Sequence, residues 1–429
     1  MLEVGRPNLS RLFSTPSGSR RFESVLSRRP AGPALCCSVA LLGPFKPLEL
    51  IVMDYPNLLE NAFLENALDG SEACSTEPAA GVGGETAPRA LVWRQLRWVD
   101  RRPVLELEAV EAEPGQPGPN GAGPAEAELS VRPAGRRLRV PLTPGAYLGL
   151  RAALDASGAP YRFCSGYTTG STDPRAPGTR RHPCPEAARI DRGQQCPRCA
   201  ARDEFTALHS AHLYPGTLTD SMRAYAMLEH RLYIATFPDG THKVGTSSLT
   251  STPRRLDEQA VATATYIALA PDGLTIRRAE DAVTALAGIG QVKQVASKYR
   301  AWTHPLPGAQ LRTAHEDAVA RARAALTEFL AREPDLRLSA LDEPWVPSPA
   351  MNRPYAALRA RNPEPLAPCD STLDGITAGF FCTGAAGQFV SAHVGDPDAA
   401  FLVNTAEWRN LLVVPDRGFT RVRVQGSLF

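Results

Sequence analysis

Hydrophobic and polar positions alternate along the chain from residue 90 onwards, and this alternation predicts β-strands. The runs LVWRQLRWV and PVLELEAV carry the pattern, and RRLRVPL resumes it after an acidic, Gly/Pro-rich insert at 111–124. We predict a small β-rich domain over 90–160, with the insert as a long hairpin loop and residues 146–156 as a short helix. Trp93 and Trp98 are expected to pack in the core of this domain rather than to stack on bases.

The two ends of the chain differ in pattern. Residues 1–89 are rich in Ser, Arg, Gly, Pro and Ala and show no sustained helical or strand period, so we expect them to be disordered. Met53 is a candidate internal start, which would make much of this stretch an extension ahead of the functional protein. At the other end, Gly-rich turns alternate with strand-like runs such as AAFLVNTAEW and NLLVVP, which predicts a C-terminal β-rich element over 336–429.

The middle of the chain mixes strand and helix periods. RLYIATF and HKVGTS predict two strands joined by a turn at Asp239-Gly240, and ATYIALA predicts a third strand. A helix is expected to start at Thr252-Pro253, and a second, amphipathic helix covers 276–287. With a long helical stretch after them, these elements predict a β-β-α-β-α core over 228–335 and an α+β fold class.

Composition and charge narrow the class of protein. A chain of 429 residues with 43% apolar content has room for two or three globular domains. Its net charge of +2 is too small to indicate a general polyanion binder. The charges are unevenly spread, however: residues 54–130 hold 14 acidic and 5 basic side chains, whereas 161–200 hold 3 acidic and 7 basic ones. Positive potential is therefore expected in the middle of the chain.

Cysteine usage and the early sequence indicate the compartment. Nine cysteines are too sparse for a disulfide scaffold, and no early apolar segment with a small-residue cleavage site opens the chain. The apolar run at 36–53 is interrupted by Pro44, Lys46 and Pro47, so it falls short of the roughly 20 residues of a membrane span. We expect a cytoplasmic protein that does not insert into a membrane.

Four cysteines in the basic stretch have the spacing of a metal site: Cys164, Cys184, Cys196 and Cys199. The last two form a C-x2-C knuckle, which supplies two thiolates from one turn. We predict a zinc-ribbon-like segment over 161–215 that holds a structural zinc ion. Because four thiolates leave no open coordination position, this metal would stabilise the fold rather than catalyse a reaction.

Other interpretations of these residues stay open. His182 could take the place of Cys184 as a ligand, and the C-x2-C pair could be a redox pair. A redox pair usually opens a helix after a strand, however, and the Arg- and Pro-rich surroundings of GQQCPRCAARDE do not resemble that context. His209 and His212 could form a second metal site on one helix face, although such pairs more often lie at a helix surface or cap.

Five residues of the predicted core follow one another in the order of known motifs: Tyr233 in LYI, Gly245 in KVG, Arg254 beside Arg255, and Glu280. They resemble the GIY-YIG superfamily of small nuclease domains. The chain also resembles an uncharacterised bacterial family that joins a Cys-rich segment to such a core. The resemblance covers roughly residues 90–429 and is most specific over 184–280.

The resemblance implies a chemistry for these positions. Glu280 would bind Mg²⁺, Arg254 would hold phosphate, and Tyr233 would orient or deprotonate the attacking water. Lys243 stands where the second motif usually has a tyrosine, as in the branch of the superfamily that carries K-[IV]-G. A lysine there is a cation for phosphate rather than a base. The implied catalytic set is Tyr233, Lys243, Arg254 and Glu280, and the implied phosphate-binding set is Lys243, Gly245, Arg254 and Arg255.

Each of these residues also has a purely structural interpretation. Tyr233 could be a buried strand aromatic, and Gly245 could allow a close approach of two backbones. Arg254 and Glu280 could form an ion pair between helices, which contributes little when it is exposed.

Three functions are compatible with this sequence. We favour a zinc-stabilised protein that binds DNA or RNA through a GIY-YIG-like core without standard cleavage, because Lys243 replaces a mechanistic tyrosine and adds positive charge. The alternatives are a Mg²⁺-dependent endonuclease of the GIY-YIG type and a protein-binding adaptor. The sequence does not predict the oligomeric state.

Overall fold

A computed structural model describes residues 56–60, 90–112, 131–171, 173, 178–360, 365–369, 373 and 377–420. The disorder predicted for 1–89 lies outside the described residues, except for 56–60. The insert at 111–124 also lies outside them, except for its first two residues.

The described residues form strands and helices throughout. In chain order, the strands are β1 (Leu91–Val99), β2 (Arg102–Ala112), β3 (Val131–Pro141), β4 (Tyr147–Ala152), β5 (Tyr167–Gly170), β6 (Thr179–His182), β7 (His230–Thr236), β8 (His242–Ser248), β9 (Thr263–Ala270), β10 (Ser339–Pro344), β11 (Ala367–Pro368), β12 (Ala378–Ala386), β13 (Phe389–His393), β14 (Phe401–Asn404) and β15 (Leu412–Pro415). The α-helices are α1 (Pro197–Arg202), α2 (Asp220–Ala226), α3 (Arg254–Asp257), α4 (Gly273–Ala287), α5 (Val295–Thr303), α6 (Gly308–Arg332) and α7 (Asn352–Arg359). The mixed α+β class is confirmed.

A nine-stranded sheet joins the two β-rich stretches of the sequence. Its strand order is β11-β14-β13-β12-β4-β15-β1-β2-β3, so strands from 378–415 lie between and beside strands from 91–152. Trp93 and Trp98 are fully buried beneath it, as predicted, and the Trp98 indole N–H donates to the carbonyl of Gly387 at 3.0 Å. The sheet thus has a single large core to which both ends of the described chain contribute.

The helix predicted over 146–156 is wrong, because most of this segment is strand β4. It pairs antiparallel with β12 on one side and with β15 on the other. Four of its six residues in a row are buried, so the apolar run YLGL has no polar face from which a strand period could be recognised.

Part of the segment predicted to be disordered packs against this strand. Asn57 donates to the carbonyl of Gly149 at 2.7 Å, and Leu58 and Leu59 are buried in the large core. The expectation of disorder is therefore wrong for residues 56–60.

The predicted middle core is a second sheet, with strand order β10-β9-β7-β8. The β7, β8 and β9 strands and the turn at Asp239-Gly240 are confirmed, and α3, α4 and α6 complete the predicted order of elements. Helix α4 begins at the Asp272 cap, whose carboxylate accepts from the Thr275 N–H at 2.7 Å, and ends at Gly288 with φ of 68°. Apolar residues of β7, α4 and α6 pack into one cluster, which fixes α4 against the sheet.

Candidate functional site

The four predicted cysteines converge in the structure. Their sulfur atoms all lie within 4.8 Å of one another, and three of the four residues are buried. Backbone N–H groups of Gly166 and Cys196 donate to the Cys164 sulfur at 3.4 and 3.2 Å, and these bonds oppose the effect of burial, which raises the pKa of this thiol. This cluster has the donors and the spacing of a metal site.

The alternatives for this segment do not fit its geometry. His182 stacks on the Tyr167 ring at a centroid distance of 4.8 Å, and its Nε2 lies 2.9 Å from the Thr169 hydroxyl, so it is occupied elsewhere. A separate redox pair is disfavoured because Cys196 also lies 3.9 Å from the Cys184 sulfur.

A buried arginine fixes the Cys-rich segment to the large sheet. Arg94 of β1 donates to the Glu108 carboxylate at 2.7 Å, to the Phe163 carbonyl at 3.0 Å and to the Asn410 side chain at 2.7 Å. Phe163 directly precedes the first cysteine of the cluster. The position of the cluster is therefore coupled to strand β1 and to the segment before β15.

In the core, Tyr233 and Gly245 face each other across the β7–β8 ladder. A Cβ atom at position 245 would lie 2.5 Å from Cζ of the buried tyrosine, so only glycine leaves room for this ring. Burial raises the pKa of Tyr233, while the nearby Arg255 lowers it. The phenol is thus neutral at physiological pH.

Lys243 and Glu280 lie beside this tyrosine with their charges largely removed from water. Burial lowers the pKa of Lys243 to about 8, and the neighbouring Arg255 adds to this. Burial raises the pKa of Glu280, against the opposing effects of Arg277 and Lys243. The Glu280 carboxylate accepts from Arg277 at 2.8 Å and is only 3% exposed, so its closest cation is an arginine.

The two neighbouring arginines of α3 have different surroundings. Arg254 forms an i,i+4 ion pair with Glu258, whereas Arg255 acts on both Tyr233 and Lys243 and lies 3.7 Å from Glu258. The structure thus brings Tyr233, Lys243, Arg255 and Glu280 into one electrostatic cluster. The suggested ion pair between Arg254 and Glu280 does not form, since each has another partner.

A cavity of about 700 Å³ opens beside this cluster, and we call it the basic cavity. The large sheet, the Cys-rich segment and the middle core all contribute to its wall. Its lining includes two carboxylates, Glu106 and Glu258, and many more cations. The cations are Arg97, Arg137, Arg139, Arg180, Arg181, Arg254, Arg255, Arg277, Arg409 and Lys298.

The sheet side of the basic cavity shows how strongly positive the wall is. Glu106 accepts from Arg97 at 3.0 Å and from Arg181 at 3.5 Å. Burial opposes ionisation of Glu106, but Arg97, Arg181 and Arg137 outweigh it and lower its pKa. Desolvation and repulsion between the arginines lower the pKa of Arg137. Arg97 and Arg181 therefore share the Glu106 carboxylate, Arg137 lies 3.3 Å from Glu108, and an anionic ligand would relieve the repulsion between these guanidinium groups.

Two lysines near Lys243 were missed by the sequence analysis, Lys293 and Lys298, and Lys298 lines the basic cavity. The chain has four lysines, and Lys293 and Lys298 lie over the Phe237 ring at 4.9 and 5.6 Å. Burial lowers the pKa of Lys298 to about 7, and the charges of Lys243 and Arg255 lower it further. The scarcity of lysine in an arginine-rich chain is the sequence signal that could have identified this group.

The two histidines proposed as a second metal site are directed to different partners. His212 Nε2 lies 2.7 Å from the Asp281 carboxylate, whereas the His209 ring lies edge-to-face on Phe205 and lines the basic cavity. Within the described ranges, the cysteine cluster is the one group of three or more His, Cys, Asp and Glu residues that could hold a metal ion.

Comparison of the chain with protein-family models, with curated proteins and with solved structures finds no match. In the part of the chain that the structure describes, no helix combines the length and apolar character needed to cross a membrane.

Proposed function

We propose that the protein binds nucleic acid through its phosphate groups in the basic cavity. The observation that carries this proposal is the lining, in which nine arginines and Lys298 face two carboxylates. Both carboxylates pair with arginines of the wall, and Arg137 and Arg277 pair with Glu108 and Glu280 behind it. The ten cations of the lining thus meet four carboxylates, which leaves a net positive charge for a ligand. A chain of phosphodiesters supplies negative charge at regular intervals, which matches cations spread over opposing walls.

We further propose that the middle core is a GIY-YIG-like domain in which binding has replaced cleavage. Lys243 stands at the position of the second tyrosine, and Glu280 is buried and paired with Arg277. A Mg²⁺ ion would have to displace that arginine and would find one carboxylate, which makes a weak magnesium site. Arg255 and Arg277 of this core line the basic cavity, whereas Tyr233 is buried behind it, so the core would contact phosphate through arginines without a metal-bound nucleophile.

Zinc is the metal that we propose for the cysteine cluster. Four cysteine thiolates in a compact, mostly buried group suit tetrahedral zinc, and such a site is structural. Its role would be to hold the β5–β6 hairpin, which supplies Arg180 and Arg181 to the basic cavity.

Binding of labelled single-stranded DNA and RNA, followed by fluorescence anisotropy over a series of salt concentrations, tests the proposal. Contact with three to five phosphates predicts a slope of roughly −2 to −3.5 in a plot of log affinity against log salt. Arg139→Ala combined with Arg180→Ala should weaken binding and reduce the slope by about 1–1.5, since both side chains are exposed in the cavity.

The matched control is Arg300→Ala with Arg337→Ala, which removes two exposed arginines outside the basic cavity. Its affinity and slope should equal those of the wild type. Equal losses in the two double variants would mean that binding is unspecific attraction to surface charge. Absence of salt-sensitive binding to either nucleic acid would overturn the proposal and favour a protein-binding adaptor.

The second candidate function is a Mg²⁺-dependent endonuclease. It is favoured by one observation, the convergence of Tyr233, Lys243, Arg255 and Glu280 in a single electrostatic cluster. Products on a denaturing gel that require Mg²⁺ would support it.

A further inference from the structure

A pair of aromatic rings lies on the wall of the basic cavity, outside the middle core. Phe205 and His209 belong to a 3₁₀ helix, Phe205–Ser210, in the Cys-rich segment. Their ring centroids are 5.4 Å apart with the planes at 90°. Both residues line the cavity and present ring surface to it, Phe205 being 37% exposed, while the walls of the cavity partly shield the His209 imidazole from water.

This ring pair lies close to the cationic cluster of the core. The pKa of His209 is lowered by burial and then by the charges of Arg277, Arg255 and Lys243. The imidazole is therefore close to the phosphate-binding cations and mostly neutral at physiological pH. A neutral imidazole adds no charge to the wall but offers a ring face and both a hydrogen-bond donor and an acceptor.

An apolar ring is an unusual lining for a site that binds only phosphate. A solvated anion gains nothing from Phe205, whereas a nucleobase gains stacking energy on an aromatic face whatever its sequence. A base placed here would have its own phosphate beside Arg255 and Arg277. The combination of ring and cations at this end of the cavity therefore matches one complete nucleotide unit.

We infer that Phe205 and His209 form a base-stacking subsite, and that the ligand of the basic cavity is a single-stranded nucleic acid with at least one unpaired base. This inference rests on the proposed function and names its ligand class. Bases inside a duplex have both faces covered by their neighbours, so they cannot stack on a protein ring unless they leave the helix. A cavity of about 700 Å³ lies in the range of pockets for small ligands and suits a few unstacked nucleotides.

The test uses the full chain and a short single-stranded DNA that contains 2-aminopurine, a base whose fluorescence falls when it stacks on an aromatic ring. Phe205→Leu keeps an apolar side chain at a partly exposed position and removes the ring face. Tyr214→Leu is the matched control, because Tyr214 is an exposed aromatic residue of the same segment, 62% exposed, and does not line the cavity. The same strand with an abasic site in place of the fluorescent base, and a fully paired duplex, complete the set.

The wild type and Tyr214→Leu should quench the fluorescence on binding, and Phe205→Leu should not. Affinity for the base-containing strand should fall about tenfold in Phe205→Leu, whereas affinity for the abasic strand should stay the same. The duplex should bind more weakly than the single strand. Equal thermal midpoints of the two variants would show that the loss is local.

Two different failures can be told apart. Salt-sensitive binding that is equal for base-containing strand, abasic strand and duplex, and unchanged in Phe205→Leu, would overturn the stacking subsite and leave phosphate binding in place. Lack of binding to every strand at low salt would overturn the proposed function and the subsite together.

Discussion

Position 245 requires glycine because of a single neighbour, the buried ring of Tyr233. Gly245→Ala should lower the free energy of unfolding by about 1–3 kcal/mol, because the added Cβ would lie 2.5 Å from Cζ of that ring and overpack the site. Chemical denaturation measures the change. Gly290→Ala is the control, since a Cβ there meets no atom within 4 Å. Equal unfolding midpoints for the two variants would contradict the close packing of ring and glycine.

Only part of the Lys298 population is protonated near neutral pH, and this leads to a prediction about the pH dependence of binding. Its pKa in the free protein is lowered to about 7, so the side chain loses its proton as the pH rises through that value. A bound phosphate favours the protonated form, and affinity should therefore be highest below this pKa and fall above it. From about pH 6 to about pH 7.5 the loss should reach about fourfold if the bound lysine stays protonated.

Lys298→Arg separates this effect from other titrations, because a guanidinium stays charged over the whole range. Affinity of the variant, measured by anisotropy in the same buffers, should be nearly independent of pH in this window. A wild-type decline that persists unchanged in Lys298→Arg would show that a different group is responsible.

The residues of the core show where a sequence motif stops being informative. Tyr233, Lys243, Gly245 and Glu280 could be located from their order along the chain, because the two strands that carry the first three have clear β patterns. The resemblance assigned the arginine to Arg254, but the order of motifs cannot separate it from Arg255, since one residue along a helix turns the side chain by about 100°. It is Arg255 that lies near Tyr233 and Lys243.

At the scale of elements, the β5–β6 hairpin connects the cysteine cluster with the basic cavity. Cys164 precedes the hairpin and Cys184 follows it, so two of the four sulfur ligands lie at its ends. Cys196→Ser should release about one equivalent of metal and lower the free energy of unfolding by about 4 kcal/mol or more. Nucleic acid affinity should fall about tenfold as Arg180 and Arg181 lose their fixed position.

Elemental analysis, thermal unfolding and anisotropy on one sample measure these three effects. Cys369→Ser is the control, because this thiol lies outside the cluster, and it should keep the metal and the affinity. Full retention of metal in Cys196→Ser would refute the four-cysteine site. Loss of metal with unchanged affinity would show that the hairpin does not depend on it.

Elements with a strong local pattern were predictable, and elements defined by their partners were not. The long helix α6 and the β7, β8 and β9 strands have clear periods. By contrast, β10 has the exposed, polar sequence SALDEP and is a strand because it pairs with β9. The same holds for β4: its apolar run is compatible with a helix or a strand, and it is a strand because it pairs with β12 and β15.

At the scale of the whole molecule, the basic cavity depends on chain segments that are far apart in sequence. Arg97 and Arg139 come from the large sheet, Arg180 from the Cys-rich segment, Lys298 from α5 and Arg409 from the segment before β15. The basic residues of each stretch can be read from the sequence. That they meet at one cavity depends on the tertiary fold, including the nine-stranded sheet, which the sequence pattern did not predict. A net charge of +2 thus conceals a strongly positive interior wall.

The pairing of Glu280 with Arg277 distinguishes a protein that only binds nucleic acid from one that cleaves it. Because Arg277 occupies the buried Glu280 carboxylate, Mg²⁺ should not raise the thermal midpoint of the protein, and no products should form on single-stranded, duplex or branched substrates. Glu280→Gln should therefore not weaken nucleic acid binding, because it removes a negative charge and leaves Arg277 of the cavity wall without its carboxylate partner. Glu258→Gln is the control for the cleavage assay, because it neutralises a carboxylate that lines the basic cavity and has no predicted role in Mg²⁺ binding. Mg²⁺-dependent products that disappear in Glu280→Gln and persist in Glu258→Gln would instead establish an endonuclease, with Lys243 compatible with cleavage.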